Sequence, residues 1–202
     1  MLRSEAGADG FPLPLFTIGH SNHPIEHFLA LLRRHRVEVV ADVRSRPYSR
    51  FVPHFAKERL ARLLEAEGVG YLFLGRELGG KPRKAEMHAS PVTYRMRVAQ
   101  PEFRQGIDRL LDASRANRMA LMCRERDPLD CHRFHLVCRY VRPLGLDIRH
   151  ILPSGELETQ PATERRLLER AAKAELPLFQ DLTEPGSEQA LARAYDAWRQ
   201  AR

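Results

Sequence analysis

The segment LFTIGHSNHP, residues 15–24, contains the pattern that decides the fold. Its first five residues are mostly apolar and short enough for a buried strand, and a polar loop of His20, Ser21 and Asn22 follows them. Pro24 comes next, and proline is favoured at the first position of a helix. The segment therefore predicts a strand, a polar loop and a helix in immediate succession.

This alternation of strands and helices continues through most of the chain. Parallel strands joined by helices need right-handed crossovers and apolar cover on both faces. The alternation therefore predicts a doubly wound α/β fold. We expect a mainly parallel five-stranded sheet of the Rossmann/flavodoxin-like type. The predicted strands are residues 15–19, 37–43, 70–75, 118–123 and 147–152; the predicted helices begin at Pro24, span residues 55–67 and 101–116, and begin again near Pro128, and a long loop is predicted over residues 76–100.

The composition divides the chain into three parts. We expect a disordered or extended N-terminus over residues 1–13, an α/β domain with the site over residues 14–153, and a helical C-terminal appendage over residues 154–202. Hydrophobic residues make up 43% of the chain and charged residues 29%, which is typical of a globular protein, and no apolar run approaches the length of a membrane span. We therefore predict no association with membranes.

Two features favour a cytoplasmic protein. The first ten residues lack the apolar stretch and the cleavage site of a signal peptide. The three cysteines are an odd set, which argues against a disulfide framework.

The net charge of +7 and the isoelectric point near 9.8 favour anionic partners, either a small molecule or nucleic acid. In the tail, ELPLF at Glu175–Phe179 resembles the short peptide by which bacterial replication and repair proteins hold the sliding clamp, although the usual leading Gln is absent. The alternative is an apolar patch that docks the tail onto its own domain.

Polar residues follow each of the first four predicted strands, and the carboxyl ends of parallel strands meet at one edge of a sheet. Three arginines within residues 44–50 favour phosphate binding, since a guanidinium binds phosphate oxygens with two hydrogen bonds. Adjacent glycines permit either a tight turn with positive φ or a close approach of backbone to phosphate. The predicted ligand-binding residues are Ser21, Asn22, Arg44, Arg46, Ser49, Gly79, Gly80, Cys123, His132 and Arg133.

Catalytic candidates lie among the same residues. Asp42, Glu125 and His20 are the predicted acids and bases, although Asp42 has the alternative of pairing with Arg44. Cys131 is a predicted nucleophile, because a helix N-terminus and neighbouring cations stabilise a thiolate.

A metal site is the weaker interpretation of the cysteines. Cys123, Cys131 and His132 supply three zinc ligands, with His20 or His54 as the fourth, although zinc sites usually show tighter cysteine pairs. No cofactor is required by the sequence otherwise.

Several separated motifs resemble the family catalogued as domain of unknown function 488. The resemblance implies an α/β fold and a shared site at these motifs, and it brings no settled activity. Arg124 stands where the family usually has a small residue, so it adds a cation at the site. The motifs are TIGHSN (17–22), DVRSRPYSR (42–50), PHF (53–55), LGG (78–80), LMCRERDPLDCHR (121–133) and HI (150–151).

Three functions remain open on the sequence. The first is an enzyme that acts on a phosphate ester or glycosyl bond of a nucleotide or nucleic acid. The second is a non-catalytic nucleotide- or nucleic-acid-binding module, in which Tyr48 or Phe51 stacks on bases. The third is a redox or metal sensor built on Cys123 and Cys131.

Overall fold

The computed structural model describes residues 13–80, 94–174 and 187–197. Within these ranges, helices follow each of the first four strands, and two longer helices come after the last strand. The elements of the first half are β1 (Leu15–Gly19), α1 (Ile25–Arg34), β2 (Val39–Asp42), a 3-10 turn (Pro53–Phe55), α2 (Lys57–Ala66), β3 (Gly70–Phe73), α3 (Gly75–Leu78), α4 (Tyr94–Val98), α5 (Pro101–Ala116) and β4 (Met119–Cys123). The elements of the second half are a 3-10 turn (Pro128–Asp130), a π-helix (Arg133–Cys138), α6 (Arg139–Val141), a 3-10 turn (Arg142–Leu144), β5 (Ile148–Ile151), β6 (Leu157–Thr159), α7 (Gln160–Lys173) and α8 (Glu188–Ala197).

The strands form one sheet in the order β3-β2-β4-β1-β5-β6. The first five strands are parallel, as the sequence predicts, and β6 pairs antiparallel with β5. The sequence analysis missed β6 and placed its residues in the helical appendage. A tight turn with Gly155 at φ +81 returns the chain beside β5, so three residues suffice for an edge strand.

Each face of the sheet is covered by helices, which makes the fold doubly wound α/β of the Rossmann/flavodoxin-like class. Alternate strand residues face opposite sides: Leu121 packs in the cluster that includes α3, α5 and the π-helix, whereas Ala120 and Met122 pack with α1 and α2. Full burial of one large apolar side chain contributes roughly 1.5–3 kcal/mol. The two apolar layers therefore stabilise the sheet that carries the site.

Helices α7 and α8 pack onto the α/β domain. Leu167, Leu191 and Tyr195 form an apolar cluster with Leu129 and Phe134, which follow β4. The predicted helical character of this part is confirmed for residues 160–173 and 188–197. Residues 1–12 and the clamp-like segment 175–179 lie outside the described residues.

The predicted loop over residues 76–100 begins and ends in helical turns. Helix α3 directly follows β3, and α4 lies just before α5. Arg97 of α4 is buried and donates to the carbonyls of Glu77 and Gly79, so it ties the two short helices together. Helices of four or five residues are too short to show a helical period, which is why the sequence did not reveal them. In the described ranges, no helix is both long and apolar enough to cross a membrane.

Candidate functional site

The topology places a crevice at the carboxyl ends of β2 and β4. The chain leaves β2 toward β3 and leaves β4 toward β5, so the two crossovers diverge between these neighbouring strands. Open α/β sheets bind ligands at such a switch point. A pocket of about 330 Å³ opens there, within the size range of small-molecule sites. Its lining residues are His20, Arg44, Ser45, Arg46, Tyr48, Ser49, Gly80, Cys123, Arg124, Glu125, Asp130 and His132.

Asp42 lies beneath the pocket and has no free oxygen. Arg44 donates its backbone N–H and Nε to Oδ1 at 3.0 and 2.9 Å, and its Nη2 to Oδ2 at 2.6 Å. The Tyr71 hydroxyl also donates to Oδ2, at 2.7 Å. Burial alone lowers the pKa of Arg44, but the hydrogen bonds and charge of Asp42 outweigh burial and raise it. Asp42 is therefore paired with Arg44, which was the alternative to its predicted role as an acid or base.

His20 is a neutral imidazole with both nitrogens engaged. Its Nε2 accepts from Arg44 Nη1 at 3.0 Å, so Nδ1 carries the proton and donates to the Ser21 carbonyl at 2.8 Å. Burial, followed by the charge of Arg44, lowers the pKa of His20 to about 3. The ring stacks on Phe55 at 4.3 Å. His20 therefore orients Arg44, and it does not have the free nitrogen that a general base requires.

Four ligand-type side chains converge beside the pocket, and three of them line it. One ligand atom from each of Cys123, Glu125, Cys131 and His132 lies within 4.8 Å of the other three. Cys123 Sγ is 3.1 Å from Glu125 Oε2 and 3.4 Å from His132 Nδ1. Nε2 of His132 donates to the Val43 carbonyl at 2.9 Å. Neither His20 nor His54, the predicted fourth ligands, joins this group.

The two sulfurs of the group differ in proton affinity. Burial, together with neighbouring Cys131, raises the pKa of Cys123. Burial alone also raises the pKa of Cys131, but the Cys123 hydrogen bond and the charge of Arg133 outweigh it and lower the pKa below its usual range. The Cys131 side chain is fully buried and does not line the pocket, whereas Cys123 does. The sulfur that faces a ligand is therefore Cys123 and not the predicted nucleophile Cys131.

Arg133 lies under the site instead of inside the pocket. Its side chain is fully buried, and it donates to the carbonyls of Glu125 at 2.6 Å and Arg126 at 3.1 Å. Its Nε donates to Thr17 Oγ1 at 3.3 Å. These bonds fix the loop after β4, so Arg133 positions Glu125 and does not hold the oxygens of a ligand.

The glycines at the site allow close packing. A Cβ on Gly79 would lie 2.4 Å from Ser45 Oγ, and a Cβ on Gly80 would lie 2.6 Å from His132 Cγ. Neither Gly79 nor Gly80 has a positive φ, so the alternative that these glycines permit a tight turn with positive φ is wrong for both. Gly19 is also required, because a Cβ there would meet the Glu125 carbonyl oxygen at 1.9 Å.

Arg46 and Arg124 form the cationic rim of the pocket. Both side chains are exposed, and within the described residues neither makes a hydrogen bond or an ion pair with the protein. Asp130, by contrast, pairs with Arg170 at 3.0 Å. The pocket therefore offers two free guanidinium groups to an anion.

Other predicted site residues are placed less centrally. Ser49 lines the pocket and accepts from the backbone N–H groups of Phe51 and Val52, which shapes the loop after β2. Ser21 and Asn22 hydrogen-bond each other and do not line the pocket. Sequence reasoning did not find Tyr71, because only the pairing of β3 with β2 brings its hydroxyl to Asp42.

Comparisons with known proteins identify a family for this chain. No curated protein matches the chain, and no solved structure matches it. The family model described as "Domain of unknown function DUF488" matches residues 24–140, which is more than half of the chain and includes β2, β4 and every pocket-lining residue except His20. The chain therefore belongs to the DUF488 family.

Proposed function

We propose that this protein is an enzyme that binds a nucleotide, or a terminal unit of nucleic acid, in the pocket and acts on its phosphate ester or glycosyl bond. The observation that carries the proposal is a pair of guanidinium groups, Arg46 and Arg124, that have no partner within the described residues and lie at the rim of a pocket lined with reactive side chains. Guanidinium groups bind phosphate oxygens in a fixed, bidentate geometry. A pocket of about 330 Å³ suits one such unit better than an extended strand.

Tyr48 supports a nucleoside instead of a bare phosphate as the ligand. Its side chain lines the pocket and is 76% exposed, so its ring is available to stack on a base. Phe51, on the same loop and equally exposed, lies under the guanidinium of Arg50 at 4.8 Å. An exposed aromatic pair among arginines also supports the second candidate, a nucleic-acid-binding module without catalysis.

Glu125 is the acid–base residue of the proposed enzyme. Of the three predicted acids and bases, His20 and Asp42 have no free polar atom facing a ligand, as their hydrogen bonds show. Glu125 lines the pocket and is bound by no cation within the described residues. We also propose that the protein acts in the cytoplasm, a proposal supported by its three unpaired thiols.

The test is a binding panel of nucleoside phosphates, nucleosides, inorganic phosphate and short oligonucleotides, read by thermal stability and calorimetry. Arg46→Ala and Arg124→Ala should each weaken phosphate binding about tenfold or more, since a charged hydrogen bond contributes about 1.5–3 kcal/mol. Arg165→Ala, an exposed arginine on α7 that does not line the pocket, is the matched control. If no member of the panel binds, or if the rim variants bind as the control does, the proposal is wrong.

Glu125→Gln separates the enzyme from the binding module. In an enzyme, this variant should keep its affinity for the best ligand and lose turnover by about 100-fold or more. A binding module has no turnover to lose. Its affinity for oligonucleotides should also fall steeply as the salt concentration rises. The affinity of an enzyme for a single nucleotide should fall only slightly over the same range.

A further inference from the structure

We propose that Cys123, Cys131, His132 and Glu125 form a zinc site beside the pocket. The zinc site shares Glu125 with the nucleotide activity proposed above, but its sulfur and imidazole ligands are distinct from the arginines of the rim, so zinc binding can be tested without a nucleotide. Its four ligand atoms lie within 4.8 Å of one another. Two thiolates, an imidazole and a carboxylate are all ligands that Zn²⁺ takes in proteins.

The spacing of the side chains is close to that of a tetrahedral zinc site. Bond lengths of about 2.3 Å to sulfur and 2.0–2.1 Å to nitrogen or oxygen place neighbouring ligand atoms roughly 3.5 Å apart at tetrahedral angles. Cys123 Sγ lies 3.4 Å from His132 Nδ1 and 3.1 Å from Glu125 Oε2. The other pairs of ligand atoms lie within 4.8 Å of each other, so we expect side-chain adjustments to bring all four atoms around the ion.

The hydrogen bond of His132 is the second, independent observation. Zinc-bound histidines almost always donate their other ring N–H to a carbonyl or a carboxylate, which fixes the tautomer. His132 Nε2 donates to the Val43 carbonyl at 2.9 Å, so the lone pair of Nδ1 points toward the sulfurs. The ring is held on its other side by Gly80, whose missing Cβ leaves room for it.

The local charges also fit a divalent cation. Arg133 lies fully buried beneath the group, and its backbone N–H is 3.4 Å from Cys131 Sγ. Two thiolates and one carboxylate would be a costly buried charge without compensation. A divalent ion together with the Arg133 guanidinium balances them.

Glu125 is the exchangeable ligand of the four. Cys131 is buried and Cys123 ends a central strand, whereas Glu125 lies on the loop at the pocket wall. Catalytic zinc sites keep one position that water or substrate can take, such as the fourth position of a Cys₂His site. Release of Glu125 opens this position to the pocket and frees the carboxylate for acid–base work.

The experiment is a titration of the full chain with Zn²⁺ alone, after chelation and in a reductant that keeps the thiols reduced. We expect one ion per chain, and Co²⁺ in its place should give a thiolate-to-metal charge-transfer band. Cys131→Ala should reduce zinc affinity by more than about 100-fold, beyond the loss typical of an outer-shell partner. Cys138→Ala is the matched control, because Cys138 is equally buried on the neighbouring π-helix but lies outside the group.

A loop variant keeps the test decisive if Cys131→Ala does not fold. Glu125→Gln leaves three ligands in place, so zinc affinity should fall about tenfold while the charge-transfer band remains. Equal affinity in wild type and Cys131→Ala, or a cobalt complex without a thiolate band, would overturn the proposal. Because no anion is present, failure here leaves the result of the nucleotide panel unaffected.

Discussion

Arg44 and Asp42 form a buried ion pair in which both carboxylate oxygens accept from the same guanidinium, at 2.9 and 2.6 Å. Their side chains are 6% and 0% exposed. The remaining guanidinium nitrogen faces His20. Arg44 lines the pocket, but its guanidinium is thus tied to the fold and is not free to hold a phosphate.

Arg44→Ala should destabilise the protein by about 3–5 kcal/mol, because it leaves the carboxylate of Asp42 buried without its cation. Urea denaturation measures the loss. Arg46→Ala, from the same loop but exposed, should change the free energy of unfolding by less than about 0.5 kcal/mol. Similar stabilities for the two variants would contradict the structural role of Arg44.

Gly80→Ala should disturb His132, since the new Cβ would lie 2.6 Å from His132 Cγ and 2.7 Å from its Cβ. Overpacking of this kind costs about 1–3 kcal/mol, and the displaced ring should also bind Zn²⁺ less tightly. Urea denaturation and zinc titration report the two effects. Gly145→Ala is the control: at φ +77 with open space around it, it should cost about 1 kcal/mol of strain and leave zinc affinity unchanged.

His150 should make stability depend on pH. Burial, followed by the charge of Arg133, lowers its pKa from 6.5 to about 3. The folded protein therefore keeps His150 neutral while the unfolded chain takes up a proton below pH 6.5, so stability is lost as the pH falls from 6.5 toward 3. Between pH 7.5 and 5.5, this residue alone should remove about 1.4 kcal/mol.

His150→Gln tests this dependence by urea denaturation at both pH values. The variant should lose less stability on acidification than the wild type does, even though it is less stable at neutral pH. Parallel curves for the two proteins would show that His150 does not cause the effect.

Tyr195→Phe should loosen the docking of α8. The buried Tyr195 hydroxyl accepts from Gln160 Nε2 and donates to Glu164 Oε1, both at 2.9 Å. Removing it leaves these buried partners short of a hydrogen bond, at about 1–3 kcal/mol. Tyr140→Phe is the control, because no hydrogen bond of that hydroxyl is found in the described residues. Thermal denaturation should separate the two variants by several degrees.

Local sequence patterns predicted the strands and the edge at which polar residues gather. Strands β1 and β4 are short apolar runs that end in polar residues, LFTIG before His20 and MALMC before Arg124, and parallel connectivity places those ends at one edge. The antiparallel strand β6 was not predicted, because the three residues LET are too few to show the alternation of apolar and polar residues that indicates a strand.

The chemical role of each side chain was decided by tertiary contacts. Arg44, Arg46 and Arg133 are equivalent in the sequence, yet one binds Asp42, one is exposed and one is buried against backbone carbonyls. Tyr71 reaches Asp42 only through strand pairing.

The sequence by itself determined the class of fold and the neighbourhood of the site, because strand and helix periodicity and the direction of a parallel sheet are local properties. Only the tertiary structure decided that Glu125 joins Cys123, Cys131 and His132, and that His20 is neutral. The physical reason is that burial and hydrogen-bond partners set both the charge and the accessibility of a side chain, and these come from residues distant in the chain.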